Sequence, residues 1–464
     1  MLVKNKLSTE DIIKAVRGIL VNGDMGITFK GICTDTRIFE PGYLFWALKG
    51  KNFDGHNFWK EALEKGAKGL VVEYLPKEMK LEELPKTISI ILVKDTLKAL
   101  GDLAKWFREK ENFDVVAITG SCGKTTTKEF TYAILSSFYK VAKNEGNYNN
   151  LIGVPLSLLS FTDKPNWAVL ELGTNAPGEI ERLGEICSPN ISLITSIYPA
   201  HLEGLKSIMG ILKEKTSLFK KTSKDGKLIY FYDQPLLREE VKNFSQEKIS
   251  FGKGNGADLR IIKAEKAKDK LRVQLAYLGK SYDLEVDDLG EHNLYNLLGA
   301  IAVSLATGLT IDAIIEKIPK NLSALIRSKI YKKERLYLID DTYNANPGSM
   351  EKALLWLKEQ VFNYNYKTVI LGDMKELGDE AREYHKKIGE LAGMIADKAI
   401  FIGEMAPYYA EGFKDSGKPY EIYGRVEEFV EKGPIKDIMG IVLIKGSRAL
   451  RMERIVEKIL KEVS

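Results

Sequence analysis

Apolar and polar positions switch between two periods along most of this chain. Short aliphatic runs are followed by stretches in which apolar residues recur every three to four positions. That alternation predicts strands joined by helices, an α/β architecture with mostly parallel sheets. In the first part, to about Leu92, a turn-rich block from Gly31 to His56 contains the strand-like Tyr43 to Leu48 and precedes a short apolar strand, Gly69-Leu70-Val71-Val72. In the middle part Val115-Val116 leads into a glycine-rich turn and a helical pattern from Lys128 to Leu135. Two further apolar runs, Trp167 to Leu170 and Ile191 to Ile194, end in polar residues, as expected where strand ends meet a ligand crevice. From Gly226 to Asp288 the pattern becomes short, alternating and polar, and predicts a subsidiary β region. A third part begins near Leu322. Its candidate strands are Leu336 to Ile339, Thr368 to Leu371, Ala399 to Ile402 and Ile441 to Ile444, a second doubly wound unit.

At 464 residues the chain has room for about three domains of ~150 residues. The breaks in pattern divide it at 1–95, 96–320 and 321–464. The net charge of +5 is small and the two signs are interleaved, so no nucleic-acid stripe is expected. Cys33, Cys122 and Cys187 are far apart, which predicts neither disulfides nor a zinc site. The start lacks an apolar signal region and no apolar stretch reaches spanning length, so a cytoplasmic location without membrane insertion is expected. Abundant Lys and Glu with scarce Gln point to a thermophilic source.

The chemistry centres on Thr119-Gly120-Ser121-Cys122-Gly123-Lys124-Thr125-Thr126-Thr127, between a strand and a helix. Glycines let backbone N–H groups close around phosphate oxygens, and the helix N-terminus adds its positive end. Lys124 can reach β- and γ-phosphates and Thr125 can hold Mg²⁺, so the loop predicts nucleoside triphosphate binding. Only Ser121 and Cys122 separate the two glycines, shorter than the usual phosphate loop.

Other segments have two readings each. Glu171 at a strand end is either a solvated residue or a Mg²⁺ ligand beside the phosphates. His201 stands in an unremarkable loop, and Lys215 reads as an ordinary surface lysine on a helix. Gly290 to Asn296 opens an apolar helix from Leu297 to Ala306; Asn293 could cap it, or the Asn and His side chains could recognise a base. Asp340 to Pro347 follows a strand directly, a place for a ribose, metal or amine, or merely a helix-initiating loop. Lys445-Gly446-Ser447-Arg448 could hold an anion at a helix start. Asp35-Thr36-Arg37 and Asp54-Gly55-His56 could cradle a phosphate or sugar, or be plain turns.

Together these strings resemble the Mur ligases, the ATP-dependent amide ligases of peptidoglycan precursor synthesis. The short phosphate loop looks like that family's version. Gly146 to Leu156, Asp341 to Pro347, Leu371 to Gly378 and Lys445 to Arg448 resemble the members that add D-alanyl-D-alanine, and the matches run from Asp35 to Met452. The resemblance implies a small N-terminal UDP-binding domain, a central P-loop ATPase-type domain and a C-terminal Rossmann-like domain. It implies ATP-driven joining of D-alanyl-D-alanine to UDP-N-acetylmuramoyl-tripeptide through an acyl phosphate, by a monomer using ATP and two Mg²⁺ ions.

Roles carry over by position as implications. Gly120, Ser121, Cys122, Gly123, Lys124, Thr125 and Thr126 would hold the phosphates. Thr125 and Glu171 would hold one Mg²⁺; His201 and a carbamylated Lys215 would serve a second, and Lys124, Glu171, His201 and Lys215 form the catalytic set. His292 and Asn296 would meet the adenine, and Arg327 and Asp341 the nucleotide's phosphates and ribose. Thr36, Arg37, Asp54 and His56 would hold the UDP-sugar. Asn147 and Asn150 would contact substrate, with Asn344 and Asn346 on the dipeptide side. Ile326 stands where the family usually has Gly, and Thr216-Ser217 where relatives have Gly-Glu. Another ligase of the superfamily, such as a folylpolyglutamate synthase, fits less well, because many of those carry Lys near Tyr343.

Overall fold

The computed structural model describes residues 2–50, 52–267, 270–361, 365–435 and 438–462. Among the described residues the chain builds three main sheets, each covered by helices. In the first unit the strand order is Leu2–Val3, Ile32–Cys33, Leu44–Trp46, Gly69–Val72, Ser89–Leu92 and Ile19–Asn22. The inner strands are parallel and the two edge strands antiparallel.

The central sheet starts from Asp114–Thr119, the phosphate-loop strand. Trp167–Glu171 lies parallel on one side of it and Ile191–Ile194 on the other. The strand order therefore reverses beside Asp114–Thr119, and crevices for ligands form at the carboxyl ends of such strands. All three strands are buried on both faces, which explains their unbroken apolar runs.

The expectation of a subsidiary β region from Gly226 to Asp288 needs correction. Lys227–Phe231 and Glu247–Gly252 continue the central sheet in parallel, and Leu259–Ala267, Lys270–Tyr277 and Lys280–Asp287 extend it as an antiparallel ribbon. The ribbon buries only one face, with Leu271, Val273 and Leu275 inward and Arg272 outward, so its polar alternation mimicked a separate element.

The third unit has the order Lys329–Lys333, Leu336–Asp341, Gly440–Lys445, Lys367–Gly372, Lys398–Ile402 and Tyr420–Tyr423, parallel except for the first. The four strands expected there all form.

Apolar packing crosses the unit borders. One buried cluster joins Val3, Trp46 and Ile91 of the first unit to Val115 and Leu170 of the central sheet through Leu100, Leu103 and Phe107 of the helix Thr96–Glu111. Another joins Ile194, Leu202 and Leu205 to Met350, Met374 and Leu377 of the third unit. No helix among the described residues is long and apolar enough to cross a membrane.

Candidate active site

The phosphate loop turns through two glycines with positive φ, +150° at Gly120 and +82° at Gly123. A Cβ on Gly120 would lie 1.9 Å from Thr195 Oγ1, and one on Gly123 2.2 Å from Asn296 Oδ1. Only glycine fits either place. The loop is pinned to the segment after Ile191–Ile194: Ser121 N–H donates to Ser196 O at 2.8 Å, Ser121 Oγ–H to Tyr198 O at 2.8 Å, and Cys122 N–H to Ser196 Oγ at 3.1 Å. The helix begins at Lys124, earlier than the Lys128 expected, with Gly123 as its N-cap. Its first backbone bond is Thr127 N–H to Gly123 O at 2.9 Å, so the N–H groups of Lys124, Thr125 and Thr126 lack intrahelical acceptors. They face a cleft of about 390 Å³.

Glu171, 2 % exposed, is no solvated residue. Its Oε2 accepts the Thr125 hydroxyl at 2.6 Å and its Oε1 accepts Asn149 Nδ2 at 2.8 Å. Asn144 ties the strand end to the loop of Gly146 to Asn150, bonding both the N–H and the C=O of Glu171. Lys124 donates from Nζ to Gly120 O at 2.7 Å, and burial lowers its pKa.

Lys215 is 2 % exposed, which overturns its reading as a surface lysine. The helix Ile208–Lys221 turns this face inward against the cleft, and burial lowers the ammonium's pKa to about 7. The neighbouring Glu214 is also buried and accepts from Gly178 N–H and Ile180 N–H, capping the helix Glu179–Cys187. His201 sits at φ +54° on the cleft edge, its Nδ1 2.5 Å from Glu376 Oε2 of the third unit. That bond holds the Glu376 carboxyl below its usual range.

The polar segment Gly290 to Asn296 belongs to the helix itself, which runs Glu291–Ala306 with Gly290, not Asn293, as its cap. Asn293 is buried and links His292 to Asn296, with bonds of 3.0 Å on each side. Burial first, then the Lys352 charge, lowers the His292 pKa to about 4, so the ring is neutral. The Trp356 ring lies edge-on to it at 5.7 Å, and Trp356 Nε1 is buried without a partner.

From the third unit, Arg327 lies 3.7 Å over the Tyr343 ring, and Arg448 is 5.8 Å from the same centroid. Asp341 accepts Lys445 Nζ at 2.6 Å and Ser328 Oγ at 3.0 Å. Lys445 is 2 % exposed and bound in this pair, so it is not the open anion site expected, and the strand it ends leads into a short 3₁₀ turn rather than an α-helix. Asn346 has a structural part as well. It is the N-cap of Pro347–Glu359, accepting Ser349 N–H at 2.9 Å, and its amide meets Ser121 O and Cys122 Sγ across the unit border. Asn150 likewise accepts from Ile152 and Gly153 N–H at the start of the next helix. Asn147, Asn150, Asn344 and Asn346 all line the cleft, Asn147 being exposed.

Thr36, Arg37, Asp54 and His56 do not line this cleft. Arg37 is exposed and paired with Asp35 at 2.7 Å. Thr36 is buried, and Asp54 accepts the Tyr74 hydroxyl at 2.7 Å. His56 is 1 % exposed, with Nδ1 on Asp54 and Nε2 accepting Glu73 N–H, so its imidazole has no nitrogen left for a sugar nucleotide. Its part is to shape the turn.

The cleft thus joins a cationic phosphate loop, a hydroxyl–carboxylate pair, a buried amine and an edge supplied by the third unit. Sequence reasoning missed Asn149, Asn144 and Glu376, whose contacts are made only by tertiary packing. The donor set suits Mg²⁺, which takes one or two protein oxygens and completes its shell with phosphates and water. Among the described residues no group of three or more His, Cys, Asp or Glu side chains could hold a metal unaided.

Comparison with known proteins matches this layout. Family models match at residues 28–108 (Mur ligase family, catalytic domain), 118–304 (Mur ligase middle domain) and 327–448 (Mur ligase, glutamate ligase domain). A UDP-N-acetylmuramoyl-tripeptide--D-alanyl-D-alanine ligase of Bacillus subtilis is 33% identical, over 98% of this chain and 99% of that protein. The ligase of the same name from Escherichia coli is 34% identical over 94% and 96%. A crystal structure of MurF from Acinetobacter baumannii superposes with a TM-score of 0.87 at 30% identity, covering 99% of this chain and 100% of that one. MurF of Thermotoga maritima in complex with ADP gives 0.82 at 27% identity, over 93% and 97%. Near-complete relatives at this identity, with family matches in all three units, leave one assignment: the chain belongs to the Mur ligase family.

Proposed function

We propose that the protein is an ATP-dependent ligase that joins D-alanyl-D-alanine to the C-terminal carboxylate of UDP-N-acetylmuramoyl-tripeptide, giving the pentapeptide, ADP and phosphate. The observation that carries this reading is the phosphate loop facing Arg327 and Asp341 across one cleft, in a chain whose near-full-length relatives bear that ligase name. The units are read as 1–95, 96–320 and 321–464, acting as a monomer in the cytoplasm.

The chemistry follows from charge and position. A substrate carboxylate oxygen attacks the γ-phosphorus of ATP, the bond to the β,γ-bridging oxygen breaks, and ADP leaves. The amine then attacks the acyl carbon, loses a proton, and the tetrahedral intermediate expels phosphate. Lys124 and the N–H groups of the helix start bind the phosphates and stabilise charge that develops on them. Thr125 and Glu171 would hold one Mg²⁺, and His201 with a carbamylated Lys215 a second; such ions would neutralise phosphate charge during transfer. Two substrates held in one cleft need no protein nucleophile, because placement supplies much of the rate.

Lys215 is read as carbamylated. Its buried amine gains a proton less readily than a surface lysine, and a neutral amine adds to CO₂, giving a carbamate and releasing one proton. The anionic product would suit a cation site where an ammonium would not. Arg327 would meet phosphate and Asp341 the ribose, while His292 and Asn296 would face the base. Thr36, Arg37 and Asp54 remain the sugar-nucleotide candidates of the first unit.

The test is phosphate release from ATP with Mg²⁺, tripeptide and dipeptide, omitting each in turn, with product mass. Release that needs both acceptors, yields the pentapeptide mass and disappears in Lys124→Ala is expected. Release with no acceptor requirement, or none with either the diaminopimelate or the lysine tripeptide, would overturn the reading.

A further inference from the structure

The string Leu371 to Gly378 has been given no role so far, yet both of its sides are anchored. Asp373 is 1 % exposed, and its carboxylate accepts Glu404 N–H at 3.1 Å and Met405 N–H at 3.0 Å. His385, 0 % exposed, accepts Met374 N–H at 2.9 Å. These two buried groups anchor the strand end on both sides. The chain then turns outward through Glu376 at φ +66°, a backbone region costly for a residue with a Cβ.

Across the border stands His201, itself at φ +54°. The two segments meet twice. Glu203 N–H donates to Glu376 O at 3.3 Å, and His201 Nδ1 lies 2.5 Å from Glu376 Oε2. With Nδ1 engaged by the carboxylate, Nε2 is the ring nitrogen not committed to that pair. Histidines that bind metals commonly give their other N–H to a carboxylate, which fixes tautomer and ring orientation. Here the carboxylate comes from a different unit than the imidazole.

We propose that Glu376 is the positioning residue for His201: it arrives with the third unit, fixes the ring with Nε2 free, and so makes the second cation site complete only when the units are in contact. The backbone bond from Glu203 sets the distance, and the anchoring by Asp373 and His385 makes the carboxylate's place independent of the cleft's contents. Glu376 is not among the residues that line the cleft. It acts through His201 alone. The inference rests on the ligase reading's second cation.

The test is a manganese titration followed by electron paramagnetic resonance, with the β,γ-imido analogue of ATP and no acceptors. It compares wild type, Glu376→Ala, Glu376→Gln, His201→Ala and the double variant. Wild type should bind two ions. Glu376→Ala should weaken the weaker ion about tenfold or more and leave the tighter one unchanged. Glu376→Gln keeps an acceptor oxygen and should lose less. In the His201→Ala background Glu376→Ala should add nothing. A single ion in wild type, unchanged binding in Glu376→Ala, or an equal loss in the His201→Ala background would each overturn the proposal. Glu376 is half-exposed, so its truncation leaves the core intact. Because no acceptor is present, a wild type that makes no amide would fail the ligase reading alone.

Discussion

Thr125 gives its hydroxyl hydrogen bond to Glu171 Oε2 at 2.6 Å, joining the first turn of the phosphate-loop helix to the end of the neighbouring strand. The two residues are far apart in sequence and come together because their strands are parallel neighbours in register, Glu171 beside Ile118.

Replacing Glu171 by Gln keeps its shape and removes its charge. With Asn149 and Thr125 still able to bond an amide, the fold should hold. The kcat should fall about 100-fold or more, because a charge opposite transferring phosphate is lost. Nucleotide affinity measured without divalent cation should barely change. Steady-state kinetics and calorimetry check this; an unaltered kcat would remove Glu171 from the cation's shell.

Tyr343 lies between Arg327 and Arg448. A ring face holds a guanidinium by about 0.5–1 kcal/mol at an exposed site. Tyr343→Leu should therefore raise the KM for ATP about threefold, while Tyr343→Phe should stay near wild type. A larger effect in Phe than in Leu would mean that the hydroxyl, not the stack, matters.

Lys215 makes two tests possible. Activity should drop in buffer stripped of CO₂ and return on adding bicarbonate, and a short carboxylic acid should partly rescue Lys215→Ala. Stability carries a second signature in CO₂-free buffer. Burial lowers this pKa from 10.5 to about 7. Below pH 7 folded and unfolded chains both hold the proton, and the folded state bears the full cost of a buried charge. Between 7 and 10.5 the unfolded chain binds more protons, so this group's contribution improves as pH rises. Lys215→Met should thus stabilise the protein most below pH 7, with the gain fading towards 10.5. Denaturation curves at several pH values check the sign.

The residues proposed for one nucleotide come from the central and third units, so the third unit is expected to swing as a rigid body on substrate binding. Small-angle scattering should give a larger radius without ligands than with the imido analogue and tripeptide. Identical profiles would count against the motion.

The features legible in the chain are those that depend on near neighbours. The phosphate loop needs two glycines, Lys124 and Thr125 within a few positions, and a strand and helix on either side. All of that is local. Lys215 reads wrongly as a surface residue because its burial depends on a helix packed face-down against a cleft that the helix's own pattern does not reveal. His56 looks like a ligand because polar residues in turns look alike until their partners are known. Both of its ring nitrogens are satisfied within the fold. The ribbon from Leu259 to Asp287 seems detached from its sheet because one exposed face gives it a different period from the buried strands beside it. Glu376 stands inside the noted string Leu371 to Gly378, but its role is not legible there, since its partner lies 175 positions away.

The helix Thr96–Glu111 belongs to two cores at once, with Leu100, Leu103 and Phe107 packed against both the first sheet and the central one. Cutting the chain before it would strip a greasy seam bare on either fragment. The first unit is therefore a poor candidate for separate expression or for exchange between relatives, because a cut on either side of that helix leaves one sheet without its lining.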